Sequence, residues 1–426
     1  MKAYVVAPIM LFALGAMAQA QAPPMSSSPS FGFSLPTVEG TMTYSLSGSE
    51  SFLTGYGASG VNEMTAISGS LGYLSSSPNK PFSLVYSGGY LYSSVPGYPP
   101  NSTFQNLAAS QVWTTKNWNF VADDAVSYMP EAPTTGLSGI PGVGDIGVTP
   151  VLIGDEPTES ILTNYATRLG NGLNGSATRK INASWSMGAT GSWQILHFSG
   201  NNGIDSDEGA GSVGPTYRID ARSSASAQVV YTYTKNTFQG LVFPFTTEGV
   251  TFQYQRQLSR FLTVNLTGGP QRTYGTGATE AVMPSQITAV GSAGMTYARR
   301  TTTANISFAR TTNAGSGVVY GALTDTVAGS LQKQFSRNWQ GALTASYSKN
   351  TALAQVPGFD DNYDAIYGGG QISRRLGRAW SAYFSYTAVT QNATNPNTSQ
   401  AAFGGLTQVF AVGVTYSPGA MHLGHF

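Results

Sequence analysis

The segment Ile372–Val389, "ISRRLGRAWSAYFSYTAV", decides how the chain is read. A basic cluster of Arg374, Arg375 and Arg378 leads into an alternating run. Trp380, Ala382, Phe384, Tyr386 and Ala388 fall on one face, and Ser381, Tyr383, Ser385 and Thr387 on the other. A period of two means a β-strand with unlike faces. What remains is which face meets water.

The same pattern recurs to the C-terminus. In "RFLTVNLTG", Leu262, Val264 and Leu266 alternate with Thr263, Asn265 and Thr267. In "NWQGALTASYSK", Trp339, Gly341, Leu343, Ala345 and Tyr347 share a face, and in "TTANISFA" so do Ala304, Ile306 and Phe308. Short basic connections mark the chain at Lys80, Lys116, Arg179 with Lys180, Arg222, Arg260, Arg299 with Arg300, Arg337, and Arg374 with Arg375 and Arg378. Their spacing of roughly forty residues is two strands and two connections. Three of them look alike: "QLSRFL", "QFSRNW" and "RLGRAW". The intervening connections are longer and acidic or rich in Gly and Pro, as in "GNNGIDSDEG" and "VPGFDDNYD". Strict alternation of short and long connections predicts an up-and-down antiparallel meander with two unlike ends.

Composition narrows the class. Of 426 residues, 10% are charged and 41% hydrophobic. The charge is far below the usual quarter of a soluble domain, and the hydrophobic share is too low for a bundle of membrane helices. The net charge of +1 predicts no nucleic-acid partner. With no cysteine there is no disulfide framework and no thiolate metal site. At the N-terminus Lys2 precedes "VVAPIMLFALGAMA" and the small-residue run "AQAQA". This reads as a secretory signal over 1–20, cleaved after Ala20, followed by a linker over 21–36.

Two readings of the strands compete. In a soluble sandwich or β-solenoid the aromatic face would bury in a protein core. In a transmembrane barrel it faces hydrocarbon while the hydroxyl and amide face lines a lumen. The polar face is nearly free of charge in mid-strand, and Trp113, Trp118, Trp185, Trp339 and Trp380 each lie beside a short basic turn, Trp193 alone excepted. Amphipathic rings gather where apolar and polar phases meet. The expected fold is therefore all-β: one transmembrane barrel over 37–416 with about eighteen strands and a tail over 417–426. Sixteen strands stays open, because 103–115, 208–219 and 363–375 alternate poorly and Pro215 lies within one of them. Adjacent Asp123 and Asp124 put one carboxylate on the lipid side unless a bulge turns both away. Asp325 also falls on the nominal lipid face, near the outer rim.

The signal, the alternating strands and the turn motifs quoted above resemble the outer-membrane β-barrel class of Gram-negative bacteria, porin-like in size, over nearly the whole mature chain. The resemblance implies placement in the cell outer membrane with short turns periplasmic and long loops outside. It also implies contact with outer-membrane lipids and lipopolysaccharide, handling by the barrel-assembly machinery, and the homo-oligomers common among porins. Members of the class often end on a strand with a terminal aromatic. "QVFAVGVTY" (Gln408–Tyr416) resembles that strand, but the tail "SPGAMHLGHF" follows it, so Tyr416 and Phe426 both remain candidates.

The function expected is a passive, weakly selective pore for small polar solutes. The alternatives are a plugged barrel serving structure, export or adhesion, and a lipid acyl hydrolase. The long connection 129–171 is the candidate constriction, carrying Glu131, Asp145, Asp155, Glu156 and Glu159 with Arg168 as counter-charge; Asp123 and Arg218 complete the candidate pore set. An extracellular cap or lipid-binding apron is the equal alternative for that segment. In "ILHFSGNNG", His197 and Ser199 partly resemble the His-x-Ser-Asn pattern of outer-membrane lipid hydrolases. Gly200 stands where Asn is expected, and no orienting acid can be assigned. A non-enzyme without cofactor or metal is the expectation, with His422 and His425 read as part of a plain tail.

Overall fold

The computed structural model describes residues 40–55, 58–77, 79–94, 101–130, 167–199, 203–315, 317–356, 362–394 and 405–423. The expected signal and linker lie outside the described residues. So do Glu131, Asp145, Asp155, Glu156, Glu159, His425 and Phe426.

Eighteen long strands follow one another: β1 (Gly40–Gly55), β2 (Ala58–Ser75), β3 (Phe82–Ser93), β4 (Asn101–Thr114), β5 (Trp118–Pro130), β6 (Thr167–Lys180), β7 (Trp185–Phe198), β8 (Asp205–Arg218) and β9 (Ser223–Phe238). Then come β10 (Leu241–Ser259), β11 (Leu262–Gly275), β12 (Gln286–Arg299), β13 (Thr302–Asn313), β14 (Ala322–Gln334), β15 (Trp339–Ala352), β16 (Tyr363–Arg375), β17 (Trp380–Ala393) and β18 (Gly405–Tyr416). Each pairs antiparallel with the next, and β1 pairs with β18 from Leu46–Tyr416 to Thr54–Gln408, closing the cylinder. This excludes the sixteen-strand alternative. The tail adds β19 (Met421–Leu423), which continues the β18 edge along Gly40–Met42 of β1. With strands about 4.8 Å apart and tilted about 40°, eighteen of them enclose a cylinder roughly 36 Å across at the backbone. That is wide enough for an aqueous lumen.

Cross-strand register settles the faces. Val327 lies opposite Tyr347, Leu331 opposite Leu343, and Phe384 opposite Val412. These rows carry bare apolar side chains on the outside, among them Leu343 at 60% exposure and Phe252 at 59%. An apolar belt of this extent suits hydrocarbon rather than water. The other parity points inward and is mostly Ser, Thr, Gln, Asn and Gly, as in Ser45, Ser47, Ser49 and Ser51 of β1. β16 alternates poorly because its upper half carries apolar side chains on both faces: Ile366 points outward while Tyr363 packs inward against Val318 and Val319.

The connections depart from strict alternation. At the end where long loops were expected, β9 and β10 are joined by only Gln239 and Gly240, both at positive φ (49° and 82°). Positive φ at both central residues is the two-residue hairpin geometry that matches strand twist. The ribbon is long instead of its loop, because β10 begins at Leu241.

Charge divides the two ends. At the short-turn end Arg179, Arg256, Arg299, Lys333 and Arg374 point outward, and Lys180, Arg218 and Arg375 point inward. Lys80, Lys116, Arg222, Arg260, Arg300, Arg337 and Arg378 sit in the turns themselves. Asp220 is the one acid there among the described residues. About ten residues up each strand, roughly 25 Å higher, lies a second outward belt of ionisable groups. It contains the ion pairs Lys235–Asp207 (3.8 Å), Arg272–Glu248 (3.3 Å) and Arg310–Asp325 (3.2 Å). Lys349 and Asp364 extend the last of these in direct register across β15 and β16.

No bulge relieves Asp123 and Asp124. Register through β4, β5 and β6 is unbroken, so Asp123 points inward opposite Ser110 and Asn174, while Asp124 points outward. Asn171 Nδ2 donates to Asp124 Oδ1 at 2.9 Å on that outer surface. A regular ladder with one satisfied outward carboxylate replaces the bulge considered from sequence.

Candidate functional site: the lumen and its folded mouth

Three charges face the lumen above the short-turn end among the described strands: Asp123 midway along β5, Arg168 at the top of β6, and Glu208 in the upper part of β8. Glu208 accepts a hydrogen bond from Thr234 Oγ1 at 3.1 Å. The rest of the wall is mostly hydroxyl, amide or glycine, interrupted by inward apolar clusters of Leu53, Met64, Leu91 and Val409 and of Leu196 and Phe198. Arg218, a candidate for the pore set, stands at the short-turn end, where its Nε donates to the Asp220 carbonyl at 3.0 Å. Strand register places it nearly a full strand length below Glu208.

A folded-in hairpin projects into the far end of the lumen. Pairing between β12 and β13 stops at Gly291–Arg310, whereas β13 and β14 stay paired up to Asn313–Ala322. Above the fork the β13–β14 tip leaves the wall. Thr312 shares the outward parity of Phe308 and Arg310, yet its hydroxyl bonds Gln271, an inward-facing residue of β11 (3.5 Å). That contact requires the tip to pass inside β12. The tip then reaches β7, six strands away: the Ile204 N–H donates to the Gly317 carbonyl (2.9 Å), and Gly317 lies against the Phe198 ring. Asn236 of β9 donates to the Ala314 carbonyl at 3.3 Å.

Local chemistry explains the shape. Gly315, Gly317 and Gly321 all take positive φ (95°, 77° and 83°), which glycine adopts without the Cβ penalty. Between them Val318, Val319 and Tyr320 are buried. Tyr320 packs with Ile204, Phe245, Met283, Leu353 and Ala354, and its ring centroid lies 4.0 Å from that of Phe243. Burial pushes the Tyr320 hydroxyl up to a pKa of about 12. The β11–β12 and β15–β16 connections close over the tip, with the Gln355 N–H donating to the Val282 carbonyl at 2.9 Å. The described mouth is therefore narrowed by 314–315 and 317–321, residues that sequence reading passed over. Its one signal is the apolar run "VVY" inside a glycine-rich connection, where a solvated loop would be polar.

The tryptophans Trp113, Trp118, Trp185, Trp339 and Trp380 all point outward at the short-turn end. Rings meet there in pairs: Trp118 stacks on Phe120 (5.4 Å), and Trp380 meets Tyr416 (5.0 Å). His197 points outward at the other end. An orienting acid does exist, since its Nδ1 lies 2.6 Å from Asp205 Oδ2. Asp205 is eight residues further on, at the start of β8, which hid it from motif reading. No hydrogen bond joins His197 to Ser199, whose N–H donates to the Thr167 carbonyl (2.8 Å). His422 Nδ1 lies 3.5 Å from Thr41 Oγ1 within the β1–β19 pairing.

No protein-family model matches the chain, and no curated protein sequence is similar to it. Among solved structures it is similar to OccK2 (OpdF) of Pseudomonas aeruginosa at 10% identity and a TM-score of 0.44, over 89% of this chain and 98% of that one. OpdQ of the same organism gives 9% and 0.42 over 89% and 98%. OccAB4 of Acinetobacter baumannii gives 8% and 0.42 over 91% and 99%.

Proposed function

We propose that this chain is an outer-membrane pore for small polar solutes, and that the folded hairpin tip limits what passes. The observation that carries this reading is the lumen wall: mostly polar, exposed toward the short-turn end, and charged above that end only at Asp123, Glu208 and Arg168 among the described strands. Such a wall hydrogen-bonds solutes weakly and without preference for one functional group. Two carboxylates against one guanidinium favour cations slightly. The short-turn end faces the periplasm in this reading. Among the described residues the His197–Asp205 pair has no hydrogen-bonded nucleophile.

The buried mouth supports a second reading, a barrel closed at rest. Tyr320, Phe245 and Met283 are almost fully buried, as a plug requires. Planar-bilayer recording separates the two. The pore reading expects steady conductance with modest cation preference. A correctly folded sample without conductance would leave the plug.

A further inference from the structure

We propose that the short-turn rim between β8 and β10 is a binding site for the phosphate of an anionic phospholipid in the leaflet on that side. The rim holds fifteen of the chain's 21 Lys and Arg residues and a single described acid. The opposite end has no such excess, since its outward cations Lys235, Arg272 and Arg310 each meet a carboxylate. Cations concentrated at one leaflet complement anions in that leaflet.

Their setting places them at the hydrocarbon boundary. Arg179 lies over Trp118 (5.5 Å), Arg374 over Trp339 (5.2 Å) and Lys333 over Phe335 (5.8 Å). A cation resting on a girdle ring keeps its charge at headgroup level while its stem lies on apolar surface.

One place on this rim is concave. A pocket of about 340 Å³ is lined by Asp220, Ala221, Arg222, Arg256, Gln257 and Leu258. The Arg222 and Arg256 guanidinium groups have no hydrogen-bond or ion-pair partner among the described residues, and both residues are exposed. The Asp220 carboxylate is turned to its own loop: it accepts from the Arg222 N–H (2.6 Å) and the Ser223 hydroxyl (2.9 Å). Those bonds hold its pKa below the usual carboxylate range, so it stays an acceptor within the turn. Asp220 also acts on Arg256 through space, which leaves one net positive charge in the pocket for a phosphate to balance. Above Arg256, outward Tyr254 and Phe252 of β10 offer an acyl chain an apolar track, while exposed Leu258 lies in the pocket lining at the turn.

The side of the membrane rests on the pore reading, but the site does not. Full-length barrel in neutral detergent is examined by native mass spectrometry with phosphatidylglycerol, phosphatidylcholine or inorganic phosphate. Phosphatidylglycerol should bind in preference to phosphatidylcholine. Arg222→Gln and Arg256→Gln should each weaken that preference about fivefold, at about 1 kcal/mol per cation near a charged surface. Arg337→Gln, remote from the pocket, should leave it unchanged. Arg256→Gln alone is decisive should Arg222→Gln fail to fold. Equal binding of both lipids, unaltered preference in Arg256→Gln, an equal loss in Arg337→Gln, or displacement by millimolar free phosphate each overturns the site. Conductance recorded on the same sample keeps the two readings apart: a silent barrel that prefers phosphatidylglycerol sinks only the pore.

Discussion

Tyr320→Ala tests whether the mouth is closed by packing. The Tyr320 side chain is 2% exposed and packs tilted against Phe243, so its loss leaves a cavity among Ile204, Phe245 and Met283. Large aromatic-to-Ala changes in a packed cluster cost about 3–5 kcal/mol. The cost falls on docking of the tip, because β14 remains paired with β13 and β15 from Ala322 onward. A loss of about 3 kcal/mol raises the undocked population by roughly two orders of magnitude. In planar bilayers the variant should show larger or noisier openings than the parent, and its barrel should still resist unfolding in detergent. Unchanged conductance and noise together with a lowered melting temperature would refute the reasoning, since Tyr320 would then support the wall and not the closure.

Further outcomes follow from the same geometry. Because the Tyr320 pKa is raised, its contribution to docking is complete below about pH 10 and is lost as pH climbs from 10 through about 12. Conductance noise should rise in that window and stay flat in Tyr320→Phe. Asp123→Asn with Glu208→Gln removes both mid-lumen carboxylates, and the reversal potential in a salt gradient should move toward anion preference; no movement would place selectivity outside the described wall. A double-mutant cycle of Arg310 with Asp325 should return about 1 kcal/mol or less, as both side chains are substantially solvated. His197→Ala should leave acyl hydrolysis of phospholipid vesicles at the no-protein background shown by the parent; hydrolysis by the parent that the variant lacks would reinstate the enzyme reading.

Much of the wall was legible because a strand advertises its faces locally. Trp380 to Ala388 states an outward column without reference to any other strand, and Asp325 is placed outward by parity alone. Register is different. That Arg310 meets Asp325, and that Lys349 continues the row, depends on connection lengths accumulated over three strands, which no single segment reports. The mouth was illegible for a related reason. Gly315, Gly317 and Gly321 look like ordinary turn residues, and a three-residue apolar run has no period to reveal its covering surface. β16 misled in the same way: Tyr363 reads as noise in an alternating pattern until Val318 and Val319 are seen packed on it. The pore candidates at Glu131 through Glu159 lie outside the described residues and stay expectations.

The seam between β1 and β18 has a kinetic consequence. Leu46 and Tyr416 become neighbours only after every intervening hairpin has formed, so ring closure is the least local event in folding. Until it happens the sheet has two raw margins, each ready to capture a foreign strand. β19 lengthens the suture by three residues beyond Tyr416, acting as a final stitch. Trimming it should leave the finished cylinder nearly as durable while slowing its completion and raising the yield of aggregates.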